Sequence, residues 1–214
     1  MSEKKKYNLD RLRIVTQVIS LIIFFVLFRN NSLQRWIVFF GAGILVSLLF
    51  GRFYCGWICP MDALIRPISW LYKKLGIKRF KGPDFMRQSW FRWLILTAFV
   101  GLMIISRRMN FNLNIILYLS FAAVIFSLFF EEALWHKSVC PFGTILSLSG
   151  RVSKYGLQVD KDKCVSCGNC ERVCTNNTII VDQNRKREII NNDCLLCFKC
   201  EESCPTQAIS YQKL

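Results

Sequence analysis

The sequence predicts an all-α membrane unit of four transmembrane helices, arranged as two repeated hairpins, followed by a small α+β module. Three observations predict this. Four long apolar spans lie within the first 130 residues. Lys and Arg are placed lopsidedly around them. Eight cysteines stand at regular spacing between residues 164 and 204.

The spans come first. They are Ile14–Phe28, Trp36–Phe50, about Ser89–Ile105 with an uncharged core from Trp93, and Phe111–Phe130. A spanning helix prefers about 20 apolar residues, so the first three cores are short. Flanking Leu12, Leu33 and Trp90 extend them, and Arg35 and Arg92 can snorkel to the interface. Helices are therefore expected over about 11–29, 33–50, 89–106 and 111–130. The chain is 53% hydrophobic with 18 Phe, more apolar surface than a soluble core needs. Lys4–Lys6 ahead of the first span resemble a signal-peptide n-region. No small-residue cleavage site follows, since the chain runs Arg29-Asn30-Asn31-Ser32, so the span reads as an uncleaved helix.

The net charge of +15 raises the question of nucleic acid, and its distribution answers it. Residues 160–214 hold eight Lys/Arg and eight Asp/Glu; residues 1–159 hold 21 and six and carry the whole excess. With the N-terminus inside, 17 of those basic residues fall on the inner side. Arg29, Arg35, Arg107 and Arg108 fall outside. Such a bias is a topology signal, not a nucleic-acid patch. It predicts a multi-pass protein of a prokaryotic inner membrane with both termini in the cytoplasm. Pro67–Gly76, with Trp70, Leu71 and Leu75 beside Lys73 and Lys74, reads as an interfacial or loop helix.

The membrane part repeats internally at an offset of 81. Ile58-Cys59-Pro60-Met61 matches Val139-Cys140-Pro141-Phe142, each after two apolar spans. A linker around Ser149–Gly156 leads on, so the expected units are 1–150 and 157–214.

The cysteines carry the chemistry. Eleven cysteines with one histidine make a poor disulfide framework and suit thiolate ligands in a reducing compartment. Cys164-x2-Cys167-x2-Cys170-x3-Cys174 recurs 30 residues later as Cys194-x2-Cys197-x2-Cys200-x3-Cys204-Pro205. A zinc site wants paired Cys-x2-Cys units with a longer spacer, which these runs lack. Three thiolates in a tight turn grip three irons of a cubane, and the fourth cysteine of each run serves the other cluster. One 4Fe–4S cluster is thus assigned to Cys164, Cys167, Cys170 and Cys204. The second is assigned to Cys194, Cys197, Cys200 and Cys174. Thr178–Val181 and Ala208–Tyr211 read as short strands that cover the clusters. This stretch resembles bacterial two-cluster ferredoxins over about 55 residues; Thr175 departs from the Pro usual there.

A second motif is Cys55-Gly-Trp-Ile-Cys59-Pro60, whose cysteines share a face if helical. Its counterpart is His136-Lys-Ser-Val-Cys140-Pro141, with the only histidine where the repeat predicts a cysteine. Cys55, Cys59, His136 and Cys140 are the candidate ligands of a third iron or iron–sulfur centre at the inner membrane face. The bland reading is three small buried residues and one interfacial histidine.

Two hairpins, Cys-x3-Cys-Pro, Cys-Pro and a ferredoxin segment together look like the NapH/NosR-type membrane ferredoxins, from about Arg11 onward. That resemblance implies a membrane electron-transfer subunit working with a soluble carrier or the other subunits of a redox complex. It passes electrons between that partner and the quinone pool or a membrane subunit. The family's second motif normally reads Cys-x3-Cys-Pro, so His136 departs from it. No flavinylation motif and no Cys-x-x-Cys-His haem motif occurs. No acid–base pair, nucleophile or phosphate loop is visible, so substrate chemistry is expected in a partner and not in a stand-alone enzyme. The alternative is a copper reductase or redox-cofactor assembly factor of CcoG type. Those proteins carry a further C-terminal β domain that is not seen here.

Overall fold

The computed structural model describes residues 3–109 and 114–214, with backbone alone for residues 3–8. The membrane part begins with α1 (Glu3–Arg29) and α2 (Trp36–Phe50), joined by a tight turn at Leu33–Arg35. Two short elements follow, α3 (Phe53–Trp57) and α4 (Pro60–Lys74). The second half repeats the plan with α5 (Ser89–Arg108), α6 (Ile115–Phe129), α7 (Glu132–Leu134) and α8 (Pro141–Ser149).

Leu9–Arg29, Leu33–Phe50 and Ser89–Arg108 are long and apolar enough to cross a bilayer. They expose rows of large apolar side chains, Val38 at 70% and Leu45 at 68% among them. Outside a membrane that surface would cost heavily in hydration, and in lipid it costs nothing. The fourth expected span is shorter in its described part, an apolar helix of 15 residues over Ile115–Phe129. Its expected start at Phe111 lies outside the described residues.

The repeat is visible in the backbone. The Cys59 amide donates to the Tyr54 carbonyl at 2.9 Å and the Cys140 amide to the Trp135 carbonyl at 2.8 Å, the same i−5 closure 81 residues apart. Each cysteine then leads into a helix with Pro at its first position, where the missing N–H costs nothing. The five residues Trp135–Val139 form a π-turn. Cys55 and Cys59 therefore do not share one continuous helix. α3 ends at Trp57, and Cys59 adopts extended backbone ahead of α4.

The expected linker is packed chain. Gly150 is buried, the Lys154 amide donates to the Leu49 carbonyl at 3.1 Å, and Phe50 stacks on Tyr155 at 5.7 Å. The C-terminal module holds two antiparallel pairs. β1 (Tyr155–Val159) pairs with β4 (Ile209–Lys213), Tyr155 opposite Lys213. β2 (Ile179–Val181) pairs with β3 (Arg187–Ile189), Ile179 opposite Ile189. α9 (Asn169–Val173) and α10 (Lys199–Ser203) carry the third cysteines of the two runs, Cys170 and Cys200. Leu157, Ile179, Ile189, Leu196 and Ile209 form its core together with Cys170, Cys194 and Cys200.

Candidate metal centres

The two cysteine loops are near copies at an offset of 30. Ser166 and Leu196 both have positive φ, near 58° and 50°, as do Gly168 and Phe198, near 76° and 59°. Left-handed backbone costs a non-glycine residue about 1–2 kcal/mol, so three of these four positions are held there by their surroundings. The twist coils each loop so that its first three cysteines border one cavity.

Each loop borders a small cavity. Cys164, Cys167 and Cys170 line the first, and its fourth cysteine is Cys204, from the other run. Cys194, Cys197 and Cys200 line the second, and its fourth cysteine is Cys174. The remaining lining of both cavities is mostly apolar. The fourth cysteines are matched by backbone donors. The Thr178 amide donates to Cys174 Sγ at 3.4 Å and the Ala208 amide to Cys204 Sγ at 3.3 Å. Four sulfurs around an apolar volume, with amides aimed at them, suit a sulfur-bridged iron cluster. Among the described residues, no three His, Cys, Asp or Glu side chains converge as a single metal ion would require.

Burial pushes the Cys194 thiol up to about 12, and the neighbouring Cys197 adds to it. Burial raises Cys200 further. At Cys164 burial also pushes upward, but amides of Arg187 and Ser166 outweigh it and hold the thiol below its ordinary value. Thr175 is buried, and its Oγ1 accepts from Lys199 Nζ at 3.4 Å.

Cys55, Cys59 and Cys140 are packed into one buried cluster with Phe40, Tyr54, Trp135 and Leu195. Burial raises Cys59 well above an ordinary thiol, and the charges of Cys55 and Cys140 raise it further. Cys140 is pushed up to about 11, by burial and then by Cys55. His136 is buried at 3% exposure, with Nε2 3.3 Å from Asp62 Oδ1. Asp62 also accepts from Arg13 at 3.2 Å and Gln17 at 2.7 Å. The histidine's carboxylate neighbour was not foreseen. Asp62 stands three residues after Cys59, the lone acid of that apolar stretch.

Arg52, Arg13 and Arg92 belong to the basic residues of the inner side, yet all three are spent in ion pairs and hydrogen bonds within the protein. Arg52 is fully buried. Its Nη1 lies 3.3 Å from Asp193 Oδ1, and its Nη2 reaches the His136 carbonyl at 3.2 Å and Cys55 Sγ at 3.8 Å. Arg92 does not snorkel; its Nη1 pairs with Asp193 Oδ1 at 3.1 Å. Ser147 Oγ completes the carboxylate's shell at 2.8 Å. Asp193 immediately precedes Cys194, so this network ties the membrane motif to the second cysteine loop. Beside it, Trp57 Nε1 donates to the Leu196 carbonyl at 2.9 Å.

A family model described as a 4Fe-4S binding domain matches residues 32–78 and again 113–158, an offset of 81. One described as a 4Fe-4S dicluster domain matches residues 163–208. The chain is 29% identical over 173 residues to an uncharacterized protein of Methanocaldococcus jannaschii, covering 78% of this chain and 67% of that one. It is 25% identical over 191 residues to the ferredoxin-type protein NapH of Haemophilus influenzae, covering 80% and 67%. It is 26% identical over 194 residues to the methylamine utilization ferredoxin-type protein MauN of Methylorubrum extorquens, covering 82% and 68%. No solved structure matches.

Proposed function

Since the chain belongs to the NapH-type 4Fe–4S ferredoxin family of membrane iron–sulfur electron-transfer proteins, we propose that it is the relay subunit of a membrane redox complex. It exchanges single electrons between a soluble carrier or partner subunit and the quinone pool or a membrane partner. Four spanning helices in two hairpins anchor an α+β module at the cytoplasmic face of a prokaryotic inner membrane. The positive-inside bias supports that orientation.

One observation carries the reading: each cavity takes three cysteines from one run and the fourth from the other. Cys164, Cys167, Cys170 and Cys204 hold one 4Fe–4S cluster, and Cys194, Cys197, Cys200 and Cys174 hold the other. Cys55, Cys59 and Cys140 hold a third centre. His136, with Asp62 Oδ1 at 3.3 Å from its Nε2, is the candidate fourth ligand. Such centres supply one-electron chemistry without acid–base groups. The chain's own side chains hold sulfur in place, exclude water and set the local charge. The loop Cys194–Cys197 packs directly on α3, which supports a line from the module's surface to the membrane motif. The metal-reductase alternative draws no support from the relatives.

Iron and acid-labile sulfide counting with EPR on the purified chain tests this. About twelve irons with a third signal, altered in His136→Ala, are expected if the third centre is also a 4Fe–4S cluster. About eight, unchanged in the variant, removes the third centre. Clusters that no donor can reduce would leave a scaffold instead of a relay.

A further inference from the structure

A long groove of about 860 Å³ runs between the segment joining α4 to α5 and the face of α9. Its floor carries Cys167 and Cys174, one candidate ligand from each cavity. Cys167 is the one exposed cysteine of the eleven, all of which are described. An electron entering or leaving the module has its shortest path to solvent there.

The groove is basic. Seven Lys and Arg line it against Glu131, Glu132 and Glu171. Arg187 is tied to Glu171 at 3.2 Å, and Arg79 to the Ser127 carbonyl and Ser69 Oγ. Lys73, Lys78 and Lys81 stand exposed along the opposite wall. That wall is fixed in place: Phe80 exchanges backbone hydrogen bonds with Phe129 and Glu131 at the end of α6. The cysteine module, residues 160–214, is electrically neutral. The membrane part thus brings positive charge to an opening beside Cys167 and Cys174.

We infer that this groove is the docking surface for an acidic one-electron carrier protein. A positive cleft with low-dielectric walls concentrates field lines and steers an oppositely charged partner. Charge at such a rim sets encounter and register, and salt screens it. The inference rests on the electron-relay reading, because it supplies the reason for a carrier to approach Cys167.

The test uses the purified holoprotein in phosphatidylcholine nanodiscs, with iron and sulfide counted in every sample. The probes are flavodoxin and a two-cluster ferredoxin, both acidic, with basic cytochrome c as control. Binding is read by biolayer interferometry. The acidic carriers are expected to bind, and the joint change Lys78→Glu and Lys81→Glu to raise Kd about tenfold or more at low salt. Lys73→Glu should weaken binding by a smaller factor, and Lys213→Glu, on β4 outside the groove lining, should leave it unchanged. Salt from 30 to 300 mM, roughly, should erase most of the wild-type advantage. If cluster-loaded protein binds neither acidic carrier better than cytochrome c, the docking surface is overturned while the relay reading stands. Binding of phosphatidylglycerol vesicles alone, lost in the same variants, would also overturn it in favour of a lipid-facing surface. Iron and sulfide missing from the wild type would instead strike at the relay reading itself.

Discussion

Gly56 and the carbonyl of Leu195 meet so closely that a Cβ on Gly56 would fall 2.2 Å from that oxygen. Gly56 stands inside the Cys55–Cys59 motif and Leu195 inside the Cys194–Cys197 loop. The contact is therefore the seam between the membrane part and the cysteine module. A side chain of any size pushes backbone against backbone, which cannot rotate away.

Gly56→Ala is expected to destabilise the protein by about 1–3 kcal/mol, the usual range for overpacking a tight site. Thermal unfolding in detergent should show a lower midpoint. Trp57→Phe, which keeps an aromatic ring but loses the Nε1 bond to the Leu196 carbonyl, should cost less, about 1 kcal/mol. An unchanged midpoint for Gly56→Ala would mean that the seam is looser than described.

Asp193 holds together Arg52, Arg92 and Ser147. Asp193→Asn leaves two arginines facing a neutral amide, and breaking a buried pair in this way costs about 3–5 kcal/mol. The native carboxyl's pH dependence has a definite sign. Burial pushes it upward, but Arg92 and Arg52 outweigh that and hold it below its ordinary value of 3.8. Its contribution is therefore fully present above pH 3.8 and is lost as pH falls through the lower, folded value. Urea midpoints of wild type and Asp193→Asn should converge below that value and stay separated at neutral pH.

Arg52 places a positive charge 3.8 Å from Cys55 Sγ. If Cys55 holds the third centre, Arg52→Gln should make that centre harder to reduce and shift its potential negative, because the cation favours the added electron. The two clusters of the module should move less. Redox-poised EPR reads all three, and a third potential that does not move would leave Arg52 as a structural tie alone.

Iron removal should unfold the module selectively. Cys170, Cys194 and Cys200 belong to its core, and four cysteines line each of the two cavities. Taking out a group that fills them removes folding energy as well as chemistry. Oxidative chelation is expected to abolish the visible absorbance and the β1–β4 and β2–β3 strand signal together. The helical circular dichroism of the membrane part should persist. Strand signal that survives complete iron loss would overturn this coupling.

The cysteine spacing by itself proposed the two four-cysteine sets, on the two-cluster ferredoxin arrangement in which the fourth cysteine of each run serves the other cluster. It also carried the apolar spans and the 81-residue repeat, since period and composition are local properties. The strands at Thr178–Val181 and Ala208–Tyr211 were legible for the same reason; their partners Tyr155–Val159 and Arg187–Ile189 were not, because strand pairing is chosen by the fold. Only the tertiary structure decided that Arg52, Arg13 and Arg92 turn inward. In the sequence a lysine-rich loop and a buried ion pair look alike until a carboxylate 141 residues away is brought beside Arg52. The same holds for Asp62 beside His136, and for Gly56 against Leu195. Ligands cluster by spacing, while the contacts that set their charge and hold the two parts together arise from residues far apart along the chain.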